Sequence, residues 1–153
     1  MSRHKYDLTY EGFIAGLKEE LGEEAARDFT RLYEWIEIYS DRKKGQWGAE
    51  PSYIPYFLNR PGRPRRIVQV WWPTHDDHRL RVMIDFGDLR KDKPFNIATL
   101  CEALRCKFNE IPGVDLPPAE DRPTFDIKIL RNAENFELFK ETVLWARNQL
   151  NGT

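Results

Sequence analysis

The sequence predicts an α+β fold, a small antiparallel or mixed sheet of about four strands packed against helices in the order α-α-β-β-β-α-β-α. Two observations carry this. Four segments repeat apolar residues at the three- and four-residue spacing of an amphipathic helix, and other segments alternate or are rich in β-branched and aromatic residues, as half-buried strands are. For that order, helices covering one side of the sheet are the natural solution. At 153 residues the chain fits a single domain, 1–153, with residues 1–22 as a helical segment at its periphery.

The first helix is read from Tyr10, Phe13, Ile14, Leu17 and Leu21, with Thr9 as N-cap and Gly22 as stop. Glu23 and Glu24 open a second helix, where carboxylates suit the positive end of the dipole; its stripe is Ala25, Phe29, Leu32, Tyr33 and Ile36, and it ends near Tyr39 before the charged Asp41–Gly45 stretch. Pro51, Pro55, Pro61 and Pro64 then allow only a short edge strand at Tyr53–Leu58, because proline donates nothing to a ladder. Ile67–Trp72 and Leu80–Phe86 are the better strands. Their apolar faces match if Trp72 pairs with Leu80, which sets Trp71 opposite Arg81 on the other face.

After a polar connection, Ile97, Leu100, Cys101, Leu104 and Phe108 predict a helix capped by Asn96. The proline-rich Ile111–Pro123 stretch reads as an ordered crossing loop. Thr124–Leu130 alternates as a half-buried strand, and Phe136, Phe139, Val143, Ala146 and Leu150 give a last helix from Asn132 to about Asn148.

Composition restricts function. Charged residues make up 32% of the chain but the formal net charge is only -1, so no global basic field draws it to nucleic acid and any such binding must come from a local patch. No window approaches the roughly 18 apolar residues of a membrane span, and the start lacks an apolar leader, so a soluble, cytoplasmic protein is expected. Cys101 and Cys106 fall on different faces of one helix, beyond disulfide reach and without a zinc or redox spacing. No cofactor is expected.

One stretch carries a functional signal. Between Lys43 and Arg66 aromatic rings and arginines crowd together, and rings stack on bases while guanidinium forks fit phosphate oxygens. The candidate ligand-binding residues are Trp47, Tyr53, Arg63, Arg65, Arg66, Trp71 and Arg81; the ordinary alternative is a solvated arginine turn over an aromatic core. His75, Asp76 and His78 could ligate a metal ion, though a hairpin tip offers little to hold such ligands still. Asp85, Asp88 and Asp92 around Gly87 suit either acid-base work or an Asp-capped turn. Asp126-Ile127-Lys128 is similar to the acidic-x-Lys signature of metal-dependent nucleases, but those enzymes carry it on the third core strand, here Leu80–Phe86, which has no lysine after Asp85. No nucleophile elbow or phosphate loop is present.

Several ordered pieces resemble a family of uncharacterised small bacterial proteins: Leu32-Tyr33-Glu34-Trp35, Ser52-Tyr53-Ile54-Pro55, Val82-Met83-Ile84-Asp85-Phe86, Lys93-Pro94-Phe95, Ile111-Pro112-Gly113-Val114, Arg122-Pro123-Thr124-Phe125 and a terminal helix with Trp145. The resemblance covers most of the chain after residue 29. It implies an α+β domain and brings no activity or site with it. The expected function is a binding or accessory domain for nucleic acid or a phosphorylated small molecule. The alternatives are a metal-assisted hydrolase or nuclease-like enzyme using Asp85, Asp126 and Lys128 or the His75–His78 loop, and a protein-interaction domain with a protein partner or a second copy of the chain.

Overall fold

The computed structural model describes residues 10–40, 42–46, 52–58, 64–72 and 79–152. Helix α1 (Tyr10–Leu21) and helix α2 (Glu23–Tyr39) are separated by Gly22 alone. Its φ of +98° is one that a side chain rarely tolerates, and its N–H donates back to the carbonyls of Leu17 and Lys18. That glycine lets α2 fold back on α1, so that Phe13 and Leu17 are buried with Phe29, Leu32 and Ile36. The expected cap Thr9 lies outside the described residues.

Six strands follow rather than about four: β1 (Arg42–Gln46), β2 (Ser52–Leu58), β3 (Pro64–Arg65), β4 (Val68–Trp71), β5 (Arg81–Ile84) and β6 (Thr124–Asp126). Every pairing is antiparallel, in the order β1-β2-β4-β5-β6 with β3 on β2. Strand β1 occupies the charged stretch that showed no strand pattern; it exists through its ladder with β2, from Arg42↔Tyr56 to Gln46↔Ser52. Strand β2 is interior, not an edge. It keeps Pro55 because β4 pairs only with Ser52 and Tyr53, and β3 only with Phe57 and Leu58, so Pro55 needs a ladder partner on one side alone.

The β4–β5 register places Trp71 opposite Arg81 and Val68 opposite Ile84, as the apolar match requires. Tyr53, Phe57, Val68, Val70, Val82, Ile84 and Phe125 are buried on one face of the sheet, while Gln69, Trp71, Arg81, Met83 and Thr124 are only partly covered on the other. Helices cover the buried face through ring contacts: Phe13 of α1 meets Trp72 edge-on with centroids 6.0 Å apart, and Phe29 of α2 meets Tyr53 at 5.3 Å.

Strand β5 stops at Ile84 instead of reaching Phe86, because Asp85 turns its carboxylate to the amide of Asp88 (2.9 Å) and caps the short helix α3, Phe86–Leu89. Helix α4 runs Ala98–Asn109 with Ile97, not Asn96, at its N-cap position; Asn96 spends its amide on the Asp92 carbonyl, and Ile97 is 56% exposed rather than part of the buried stripe. Cys101 is buried, Cys106 is exposed, and both are free thiols.

The buried Arg105 of α4 organises the proline-rich crossing. Its guanidinium lies 4.1 Å over the Phe86 ring and donates to the carbonyls of Pro117 and Glu120, at 2.5 and 3.0 Å. Strand β6 is shorter than the alternation suggests, since the Asp126 carboxylate accepts from the Lys128 amide (2.9 Å) and starts a 3₁₀ turn, Ile127–Arg131. Helix α5 (Ala133–Leu150) then begins at Asn132, whose side chain caps the amides of Glu134 and Asn135. Phe136, Phe139, Val143, Ala146 and Leu150 are buried as expected. No helix among the described residues is long and apolar enough to cross a membrane.

Phe139 joins four rings: Trp35 of α2, Phe108 of α4, Phe125 of β6 and Phe136 of its own helix. Phe139→Ala is expected to lower unfolding free energy by about 3–5 kcal/mol in denaturant titrations, because the hole borders three separate elements and cannot collapse without moving one of them.

Candidate functional site

Of the ten candidate ligand- and metal-binding residues, Trp47, Arg63, His75, Asp76 and His78 lie outside the described residues. The other five separate into three places.

Tyr53 sits in the core, 4% exposed, with its ring against Phe29 and Tyr33 and no hydrogen-bond partner for its hydroxyl among the described residues. It offers no stacking face. Burial pushes its phenol far above the ordinary value, and the neighbouring Tyr33, Glu37 and Tyr10 push the same way.

Arg65 and Arg66 are drawn into an ion-pair network where β4 begins and β5 ends. Asp85 is wholly buried there, and a carboxylate in that position needs donors and opposite charge. Besides capping α3, it faces Arg66 Nε at 3.3 Å and Arg122 Nε at 3.5 Å. The backbone amide of Arg66 donates to Asp88 at 2.7 Å, and its Nη2 lies 3.6 Å from the same carboxylate. Arg65 donates to Asp92 at 2.8 Å. Arg90 pairs with Asp121, whose hydrogen bond raises the guanidinium pKa further. Asp85 and Asp88 therefore act as the Asp-capped turn, with the two arginines as their counter-ions. The cap is legible in the sequence and those partners are not, because nothing local joins Arg66 to Asp85.

Trp71 and Arg81 stand elsewhere, on the partly exposed sheet face. Paired in register, they place their Cβ atoms about 5 Å apart, and Asp126 continues the same row on β6. One row along lie Gln69, Met83 and Thr124, and the Arg81 guanidinium reaches the Thr124 hydroxyl at 3.5 Å. Gln69, Met83 and Thr124 carried no functional signal in the sequence; alternation on β4 and β5 could have found the first two.

At the β6 edge this face borders a cleft of about 200 Å³ lined by Glu24, Asp28, Arg79, Asp126, Lys128 and Arg131. Arg131 bridges Glu24 and Asp28, each at 2.9 Å, and the hydrogen bond to Asp28 raises its pKa. Arg31 adds a bond to the Leu130 carbonyl, so α2 and the 3₁₀ turn form rigid walls. Asp126 and Lys128 thus share a cleft, but Asp85 does not join them: it is four residues along β5 from Arg81, the partner of Asp126, or about 13 Å. Among the described residues, no group of three or more His, Cys, Asp or Glu is placed to hold a metal ion.

No model of a known protein family matches the chain, and no curated protein or solved structure is significantly similar to it.

Two outcomes separate buried from exposed charge. Asp85→Ala removes both a cap and the anion facing Arg66, and is expected to cost about 3 kcal/mol in denaturant titrations, whereas Asp121→Ala at a 61%-exposed carboxylate costs less than ~1. Tyr53 predicts an alkaline effect. Its folded-state pKa is raised, so the stabilisation is complete below the ordinary phenol value and is lost as pH rises above it, when only the unfolded chain ionises. Denaturation midpoints at about pH 9 and about pH 11 should show the drop, and Tyr53→Phe should reduce it.

Proposed function

We propose that this chain is a binding domain that takes a planar, phosphate-bearing ligand on the open face of its sheet, the ring lying on Trp71 and the phosphate at Arg81. The observation that carries this reading is the Trp71–Arg81 pair, both partly exposed on the sheet face opposite the aromatic core. An indole beside a guanidinium supplies a stacking surface and a phosphate fork within one cross-strand pair. Arg65 and Arg66 have no part in it, since Asp85, Asp88 and Asp92 hold them. The row is asymmetric: Asp126 beyond Arg81 repels phosphate, so at this level the ligand's charge is held on the Trp71 side of β5. Two free cysteines suit a reducing, cytoplasmic setting for such a domain.

Tryptophan fluorescence titration with a nucleoside monophosphate at low salt tests the reading. Trp71→Phe identifies which of the five tryptophans responds. Trp71→Ala should weaken binding by ~1–3 kcal/mol, roughly 5- to 150-fold, with the melting temperature little changed because the ring is partly exposed. A titration in which neither nucleotide nor single-stranded DNA or RNA alters the emission sinks the proposal.

A further inference from the structure

Resting on that reading of the sheet face, we infer that the ligand is a single strand of nucleic acid, its backbone running along β5 from Arg81 toward Arg122. The argument starts from what lies beyond the first row. Two residues further along β5, about 6.6 Å away, Met83 is flanked by Gln69 and Thr124, all partly exposed. Met83 offers a polarizable apolar surface to a second base, and its two neighbours supply hydrogen-bonding groups.

Four residues along β5 from Arg81, about 13 Å by the same strand rise, Asp85 meets Arg122. The arginine side chain is 58% exposed and meets buried Asp85 through Nε, which leaves the terminal nitrogens of the fork for a phosphate. Lys91, 61% exposed, stands at the same end through its ion pair with Asp88. A cation at each end, with an indole beside the first and a thioether between them, suits a polyanion carrying bases at regular intervals. One nucleotide on Trp71 is too short to reach Arg122.

The strand must be unpaired. A ring lying on a sheet face can stack only on a base that is free of its own neighbours, and a duplex keeps its bases stacked inside. An acidic peptide would meet the cations and leave Trp71 without a partner. The chain's near-neutral charge also makes affinity depend on this local register of rings and cations rather than on a general field.

A length series of oligothymidylates, from the mononucleotide to the hexanucleotide, tests the inference on the full chain by fluorescence titration. Affinity should rise tenfold or more by the tetranucleotide and then level off. Arg122→Gln should remove most of that gain while leaving mononucleotide affinity unchanged. Because Arg122 also covers Asp85, Lys91→Ala is the second variant, expected to lower the gain severalfold with an unchanged melting temperature. Equal affinity across the series overturns the inference while leaving the mononucleotide reading standing. Duplex DNA or polyglutamate binding as tightly as the tetranucleotide also overturns it. Absence of binding by any of the thymidylates ends both.

Discussion

Because side chains alternate along a strand, sliding one strand of an antiparallel pair by a single residue exchanges the two faces of the sheet. The pairing of Val68 with Ile84 and of Trp71 with Arg81 is therefore the constraint from which the rest of this structure follows. It sends Val68, Val70, Val82 and Ile84 into the aromatic interior, where α1, α2 and α5 meet the sheet. It also leaves Trp71 and Arg81 outside together. At the strand end it brings the Asp85 amide to the Ile67 carbonyl, at 3.0 Å, so the carboxylate turns inward where α3 starts.

Burying that carboxylate determines what the arginine-rich turn becomes. An anion out of water is tolerated when hydrogen bonds and cations surround it, and here a backbone amide, Arg66 and Arg122 do so. Arg65 and Arg66 are thereby fixed as structural groups, and a phosphate would have to displace Asp85, Asp88 or Asp92 to reach them. A density of arginines in a sequence is thus a poor guide to a phosphate site when aspartates follow at long range.

The sequence was most legible where one pattern decided the outcome. Apolar stripes gave α1, α2 and α5 almost to the residue, because a helix buried on one side must repeat at its own period. Matching two apolar faces gave the Trp71–Arg81 pair. Other features depended on competition that a single segment does not show. Strand β1 has no side-chain pattern of its own and forms against β2. The alternation through Thr124–Leu130 was real, yet the Asp126 carboxylate takes the Lys128 amide and the chain curls into its 3₁₀ turn. Ion pairs joining residues twenty or more positions apart, such as Arg65 with Asp92, leave no local trace. Tyr53 reads as a surface ring in the sequence because nothing in its own strand says which face α2 will cover.

The turn at Asp126 has a bearing on how molecules of this chain meet. An open sheet edge presents unpaired amides and carbonyls that can template a strand from another molecule, and natural proteins shorten or charge such edges. Strand β6 offers three residues before the chain curls into its 3₁₀ turn, with the Ile127 amide returned to the Leu80 carbonyl at 3.0 Å. The opposite edge, β1, reads Arg-Lys-Lys-Gly-Gln, whose like charges oppose a second copy of themselves. The same carboxylate that ends the Trp71–Arg81 row thus also guards the sheet against growing edge to edge.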